Sequence, residues 1–128
     1  MTMDRTGSFG IGTTNPVAKL QVVGAIASGY TAAYTTAGPT DNLDASLKNS
    51  IFVDASGGNV TIGGLAGGVA GQVLRIVRIE SANDVILEHA EGGGSQDIYL
   101  LGEADKTLST FGGWHLICNG SNWFEVNN

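Results

Sequence analysis

Apolar residues in this chain come in short runs that alternate with polar ones at a period of two, the pattern of half-buried strands rather than of helices. Residues 17–23 form the first run, with Leu20 and Val22 on one face, and Gly24 ends it. Residues 25–40 are rich in Ala, Thr, Gly and Ser, and Gly38-Pro39 breaks any regular element there. Asp41 is a fair N-cap and Leu43 and Leu47 are four apart, so a short helix over 41–47 is one reading of that stretch. Ile51-Phe52-Val53 and residues 59–62 read as strands. The turn chemistry of Asp54-Ala55-Ser56-Gly57-Gly58 predicts that they form a hairpin.

Residues 63–71 read as a Gly-rich loop. Residues 72–80 are the longest strand candidate, with Leu74, Ile76 and Arg78 on one face and Val73, Arg75, Val77 and Ile79 on the other. Residues 85–89 place Val85, Leu87 and His89 together, and 98–101 and 107–111 are further short strands. The last hairpin is the most legible. Residues 114–118 and 123–126 flank Asn119-Gly120-Ser121-Asn122, where a Gly-Ser two-residue turn of type II′ pairs Cys118 with Trp123 and Ile117 with Phe124. No repeat of 20 to 50 residues is evident. Short strands with frequent turn signals predict an all-β architecture, a short-stranded antiparallel β-sandwich or barrel-like module with an extended N-terminal arm. The chain divides into an arm (1–24), an Ala/Thr-rich spacer (25–50) and a β module (51–128).

Composition adds a stability problem. Of 128 residues 20 are Gly, and only 14% are charged. Each Gly inside regular structure costs about 0.5–1 kcal/mol relative to Ala, so association with copies of itself is expected to supply burial that one copy lacks. Six basic residues against twelve acidic ones leave a net charge of −6 and no basic stripe, which argues against nucleic acid and anionic membrane surfaces as partners. No apolar run is long enough for a membrane span, and residues 1–6 hold no apolar segment of a secretion signal. A single cysteine, Cys118, excludes an intrachain disulfide. It alternates with Trp114 and Leu116, which predicts a buried, inert thiol.

Candidate chemistry is sparse. Gly10-Ile11-Gly12-Thr13-Thr14-Asn15 begins like a dinucleotide-binding loop but lacks the third Gly, and no helix pattern follows, so a tight turn is the better reading. The glycines of 63–71 run into Gln72 rather than a Lys-Ser/Thr pair, which excludes a phosphate loop. Glu88, His89, Glu91 and distant His115 lack metal-ligand spacing. Asp41, Asp44 and Asp54 could supply paired carboxylates for glycoside hydrolysis, although Asp54 suits a turn. No cofactor, metal or catalytic residue is predicted, and a carbohydrate-acting enzyme is the remotest alternative. Two matches to the N-glycosylation pattern, at Asn59 and Asn119, carry no weight without a secretion signal.

Two segments resemble known proteins. Gly10-Ile11-Gly12-Thr13-Thr14-Asn15-Pro16, with Ala18-Lys19-Leu20 and Val22-Val23-Gly24, resembles a short motif of bacteriophage tail-fibre and related trimeric surface proteins. The remainder resembles a β module of phage fibre and receptor-binding proteins. Its marks are residues 51–62, then Gly71 with Ile76 and Arg78, Asn83, Val85-Ile86, and the terminal Asn119-Gly120-Ser121-Asn122-Trp123. One departure is that Gly63-Gly64-Leu65 stands where that family has Leu-Pro, so the path after Ile62 is open. The resemblance implies a homotrimer on the virion surface, made in the host cytoplasm and without enzymatic activity.

Under that resemblance Phe9, Ile11, Pro16 and Leu20 are expected to attach the arm to the particle. Phe52, Val60, Ile62, Ile76, Leu87, Trp114, Leu116, Trp123 and Phe124 are expected in the core or the trimer contact. The implied partners are the chain itself, other virion proteins of tail, baseplate or capsid, and a host surface glycan or protein; no nucleic acid and no membrane insertion are implied. The length leaves no room for a long shaft. A fibre- or spike-like projection and a capsid decoration (cement or head-fibre) protein both fit.

Overall fold

The computed structural model describes residues 1–30 and 32–126. Among them there is no helix. Three short strands come first: β1 (Thr2–Met3), β2 (Phe9–Ile11) and β3 (Leu20–Val22). They form a sheet of their own, β1 antiparallel and β3 parallel to β2. The β1–β2 turn is closed by Asp4, whose Oδ1 accepts hydrogen bonds from the Thr6 N–H at 2.9 Å and the Ser8 N–H at 2.8 Å. These bonds, led by the one from the Thr6 hydroxyl, hold its carboxyl below the usual carboxylate range.

From Gly38 onward the chain coils. β4 (Gly38–Thr40), β5 (Leu43–Asp44) and β6 (Ser50–Val53) make one turn. β7 (Val60–Ile62), β8 (Gly64–Ala66) and β9 (Val73–Arg78) lie beside them in the same order and direction. Gly38 pairs with Val60 and Leu43 with Leu65, each 22 positions on, whereas Ser50 pairs with Arg75, 25 positions on. β10 (Val85–Leu87) continues the stack, with Val85 opposite Val60. The sheets are thus stacked in a solenoid-like arrangement. Polar corners tie successive coils: the Asp84 N–H donates to Asn59 Oδ1 at 3.0 Å, and Asn83 Nδ2 donates to the Ala55 carbonyl at 2.8 Å.

The last strands reverse direction and close the stack. β11 (Gln96–Tyr99), β12 (Lys106–Leu108) and β13 (Gly112–Cys118) run antiparallel to β8, β10 and β9 respectively. β14 (Trp123–Glu125) lies between β11 and β13. The result is a four-stranded sheet ordered β12-β10-β7-β4 and a seven-stranded sheet ordered β5-β8-β11-β14-β13-β9-β6. The terminal hairpin has the predicted register, Cys118 opposite Trp123 and Ile117 opposite Phe124, with Gly120 at φ +99° as the turn demands.

Four expectations are corrected. The fold is all-β but not antiparallel: six of the eleven strand pairings among the described residues are parallel. Ile51–Val53 and 59–62 are not a hairpin, because each pairs with a strand one coil later and the Asp54–Gly58 turn sends the chain into the other sheet. Residues 41–47 hold β5 and a turn rather than a helix. Leu43 points into the core while Leu47 is exposed at φ +58°, so the two cannot share a helix face. The stretch 63–71 is not only a loop, since β8 lies within it with Leu65 fully buried. The coil spacing also amounts to an internal repeat, which the change from 22 to 25 residues concealed from any fixed period.

Alternation then builds one interior. Leu74, Ile76 and Arg78 of β9, and Trp114, Leu116 and Cys118 of β13, are buried at every second position. All but Arg78 join Leu43, Ile51, Val53, Val60, Ile62, Leu65, Val85, Leu87, Ile98 and Trp123 in a single cluster. The core is therefore more complete in one copy than the glycine content implied. Some glycines help build it. A Cβ on Gly68 would overlap the Trp123 ring, and one on Gly64 would overlap the Asp41 carbonyl oxygen. Buried Gln96 fastens this region: its Oε1 accepts from the Trp123 indole N–H at 3.0 Å and the Gly68 N–H at 2.8 Å.

Candidate functional site

Three of the four predicted attachment residues come together. In the arm sheet Met3 lies opposite Phe9 and Phe9 opposite Leu20, while Ile11 lies opposite Val22. With strand alternation, Met3, Phe9, Ile11, Leu20 and Val22 share one face, and Thr2, Gly10 and Gln21 share the other. No strand of the arm pairs with a strand of the body. Met3 is 70%, Leu20 63% and Ile11 43% exposed. Pro16 is not part of this face; it lies in the β2–β3 connection. Sequence reading missed Met3 and Val22, although Phe9-x-Ile11 and Leu20-x-Val22 carried the period-two signal.

The Gly-Ile-Gly motif shapes this sheet. A Cβ on Gly10 would stand 2.6 Å from the Thr13 carbonyl oxygen, and one on Gly12 2.7 Å from that of Val23, at a Gly12 φ of +75°. The motif begins inside β2 and leads into a turn, which is not the strand-to-helix setting of a dinucleotide loop.

A second apolar surface lies on the outside of the seven-stranded sheet. Tyr99 is opposite Phe124, Phe124 opposite Ile117 and Ile117 opposite Val73, a straight row across four strands. Phe124 and Phe52, expected in the core or the trimer contact, do not enter the core: both lie on this outer surface, because Trp123 and Val53 take the inward positions. The other seven residues of that expected set, Val60, Ile62, Ile76, Leu87, Trp114, Leu116 and Trp123, are buried. Tyr99 stacks on Phe124 at 5.2 Å and meets His89 edge-on at 5.8 Å, and Tyr30 covers Phe52 edge-on at 5.6 Å. No family model, curated protein or solved structure matches this chain.

Both surfaces show in the total. The accessible area is 7172 Å², above the roughly 6,400 Å² of a compact monomer of this mass. The open end of the coil, by contrast, is guarded against strand addition. Pro39 sits in β4, Lys48 pairs with Asp44 at 2.7 Å beside β5, and the Tyr34 N–H donates to the Phe52 carbonyl on β6 at 2.8 Å. A cavity of about 480 Å³ opens there, among residues that include Tyr34, Thr40, Leu43 and Ile51.

Among the titratable candidates, Asp41 and Glu88 come together. Asp44 is held well below the usual carboxylate range by hydrogen bonds from Lys48 and then Ser46, and Asp54 below it by bonds from Ser56. Asp41 does meet a second carboxylate: a Cβ on Gly63 would stand 2.8 Å from both Asp41 Oδ1 and Glu88 Oε2. Burial, then Glu91, Asp105 and Asp41, push the Glu88 carboxyl up. Neither Asp41 nor Glu88 lines the cavity at the open end of the coil. His89 Nδ1 accepts the Leu100 N–H at 3.0 Å, and His115 lies on the outer sheet face. Among the described residues no three His, Cys, Asp or Glu are grouped to hold a metal ion. Cys118 is buried, and its Sγ accepts the Gly120 N–H at 3.3 Å.

Proposed function

We propose that this chain is a non-enzymatic structural protein of a bacteriophage particle, a homotrimeric fibre- or spike-like projection whose arm docks on the virion and whose coiled body faces the host surface. The observation that carries the reading is the arm itself. Five apolar side chains share one face of a small three-stranded sheet, on a connection that leaves it at Val23 and is bonded to the body by Gly29, whose carbonyl accepts the Asn49 N–H at 2.9 Å. A sheet buries its apolar face by packing against another element, and no strand of the body joins the arm sheet. The resemblance of the Gly10–Pro16 motif and of the body to phage fibre modules supplies the particle and the threefold assembly.

Deleting residues 1–24 tests this. Loss of particle binding, with the oligomeric state and melting of the body unchanged, is the expected outcome; retained particle binding would refute it. The shortness of the stack, two parallel coils and a reversed cap, favours a second reading as a trimeric capsid decoration protein. Density at threefold positions of the capsid in a particle reconstruction would select it.

A further inference from the structure

We propose that copies of this chain associate by seating Tyr99 of one copy in the shallow pocket over Gly113 of the next, with Asp97 of the first beside Arg75 of the second. The proposal rests on the reading of the protein as an assembly of identical chains and names the surface that makes it.

The outer face of the seven-stranded sheet has two unlike flanks. On one, β11 presents Asp97 and Tyr99, two residues apart and so on the same side of the strand. The Tyr99 ring is fixed between Phe124 and His89, so little side-chain freedom is lost when it docks. On the other flank, a pocket of about 230 Å³ is lined by Arg75, Val77, Gly113, Trp114, His115 and Glu125. Gly113 leaves its floor bare, and it lies opposite Val77, two residues along β9 from Arg75.

The spacings agree. Two residues of strand separate Tyr99 from Asp97 on the first flank, and two separate Val77, opposite Gly113, from Arg75 on the second, about 6.6 Å in each case. Charge selects the same pairing. In a chain of net charge −6, β6, β9 and β13 contribute no carboxylate and Arg75 is the exposed cation among them, while the carboxylate that lines the pocket, that of Glu125, is paired with Lys106 at 2.7 Å. A contact between one flank and the opposite flank of the next copy is heterologous, and it gives a ring when the rotation between copies closes and a filament when it does not.

Sedimentation equilibrium on the full chain tests this with Tyr99→Ala, Arg75→Glu, Asp97→Arg and the exchanged pair Arg75→Asp with Asp97→Arg. Each single change is expected to weaken self-association at least roughly 30-fold, with circular dichroism unchanged, and the exchanged pair to recover most of the loss of Asp97→Arg. Folded Tyr99→Ala and Arg75→Glu variants that assemble like the wild type would overturn this surface while leaving the assembly reading intact. So would an exchanged pair no better than Asp97→Arg alone. A monomeric wild type at micromolar concentration would overturn both.

Discussion

The arm and the body are written in the same alternating code and come to opposite ends. Phe9, Ile11, Leu20 and Val22 alternate as cleanly as Leu74, Ile76 and Leu116, yet the body residues are buried while on the arm face Ile11 and Leu20 are exposed and Phe9 and Val22 only half-buried. Alternation states that a strand has one face to bury; it does not state against what. The body answers from within the chain, because each coil sets its apolar face against other coils and the reversed cap. The arm has no second layer. It also differs in charge: Arg5 and Lys19 stand against Asp4 alone, so the chain's negative excess lies entirely outside it.

The largest expected effect breaks the body and spares the arm's role. Trp123→Ala removes the largest fully buried side chain and one of the two donors to Gln96 Oε1, and should lower unfolding free energy by roughly 3–5 kcal/mol in a denaturant titration. Gly68→Ala, which sets a methyl into that same ring, should lower it by about 2 kcal/mol. A Gly68→Ala protein as stable as the wild type would show that the 63–71 stretch is slack rather than part of the core.

Arg78 sharpens the comparison from the other side. It is buried with Nε and Nη1 unpartnered among the described residues, as is Glu80 Oε1, two residues along the same face of the chain. Replacement by a packed apolar side chain, Arg78→Met, should therefore raise stability by about 1 kcal/mol. A loss instead would mean that the body, like the arm, is completed by a partner at this point.

The smallest effect depends on pH. Glu88 has a carboxyl raised above its ordinary value near 4.5 by burial and by neighbouring carboxylates. The unfolded chain therefore loses this proton first, and stability falls as pH rises through that window. Glu88→Gln should raise stability at pH 7 by on the order of 0.5 kcal/mol and leave it unchanged at pH 3, as read from paired thermal melts.

Strand faces were legible in the sequence wherever alternation ran for several residues. The inward sets of 72–80 and 114–118, and the register across Asn119–Asn122, all follow from local chemistry. Partner choice was not legible. Ile51–Val53 and Val60–Ile62 look like a hairpin because their turn is short, but a coil pairs each strand with one 22 or 25 residues away, and no local signal records that distance. The 63–71 stretch hid β8 because its glycines read as loop formers, whereas Gly64 and Gly68 serve close approach to Asp41 and Trp123. At the candidate site, Ile11 and Leu20 were singled out from their motif and Phe9 from its place just before it. The outer sheet row was missed because Tyr99, Phe124, Ile117 and Val73 become neighbours only once β14 lies between β11 and β13.

Amide hydrogen exchange on the full chain, free and on particles, tests the division between arm and body most directly. The account predicts that amides of residues 1–24 exchange near the unprotected rate in the free protein and slow by at least roughly 100-fold on the particle, while β7, β9 and β13 stay protected in both. An arm as protected as those strands in the free chain, or one whose exchange is the same on and off the particle, would contradict it.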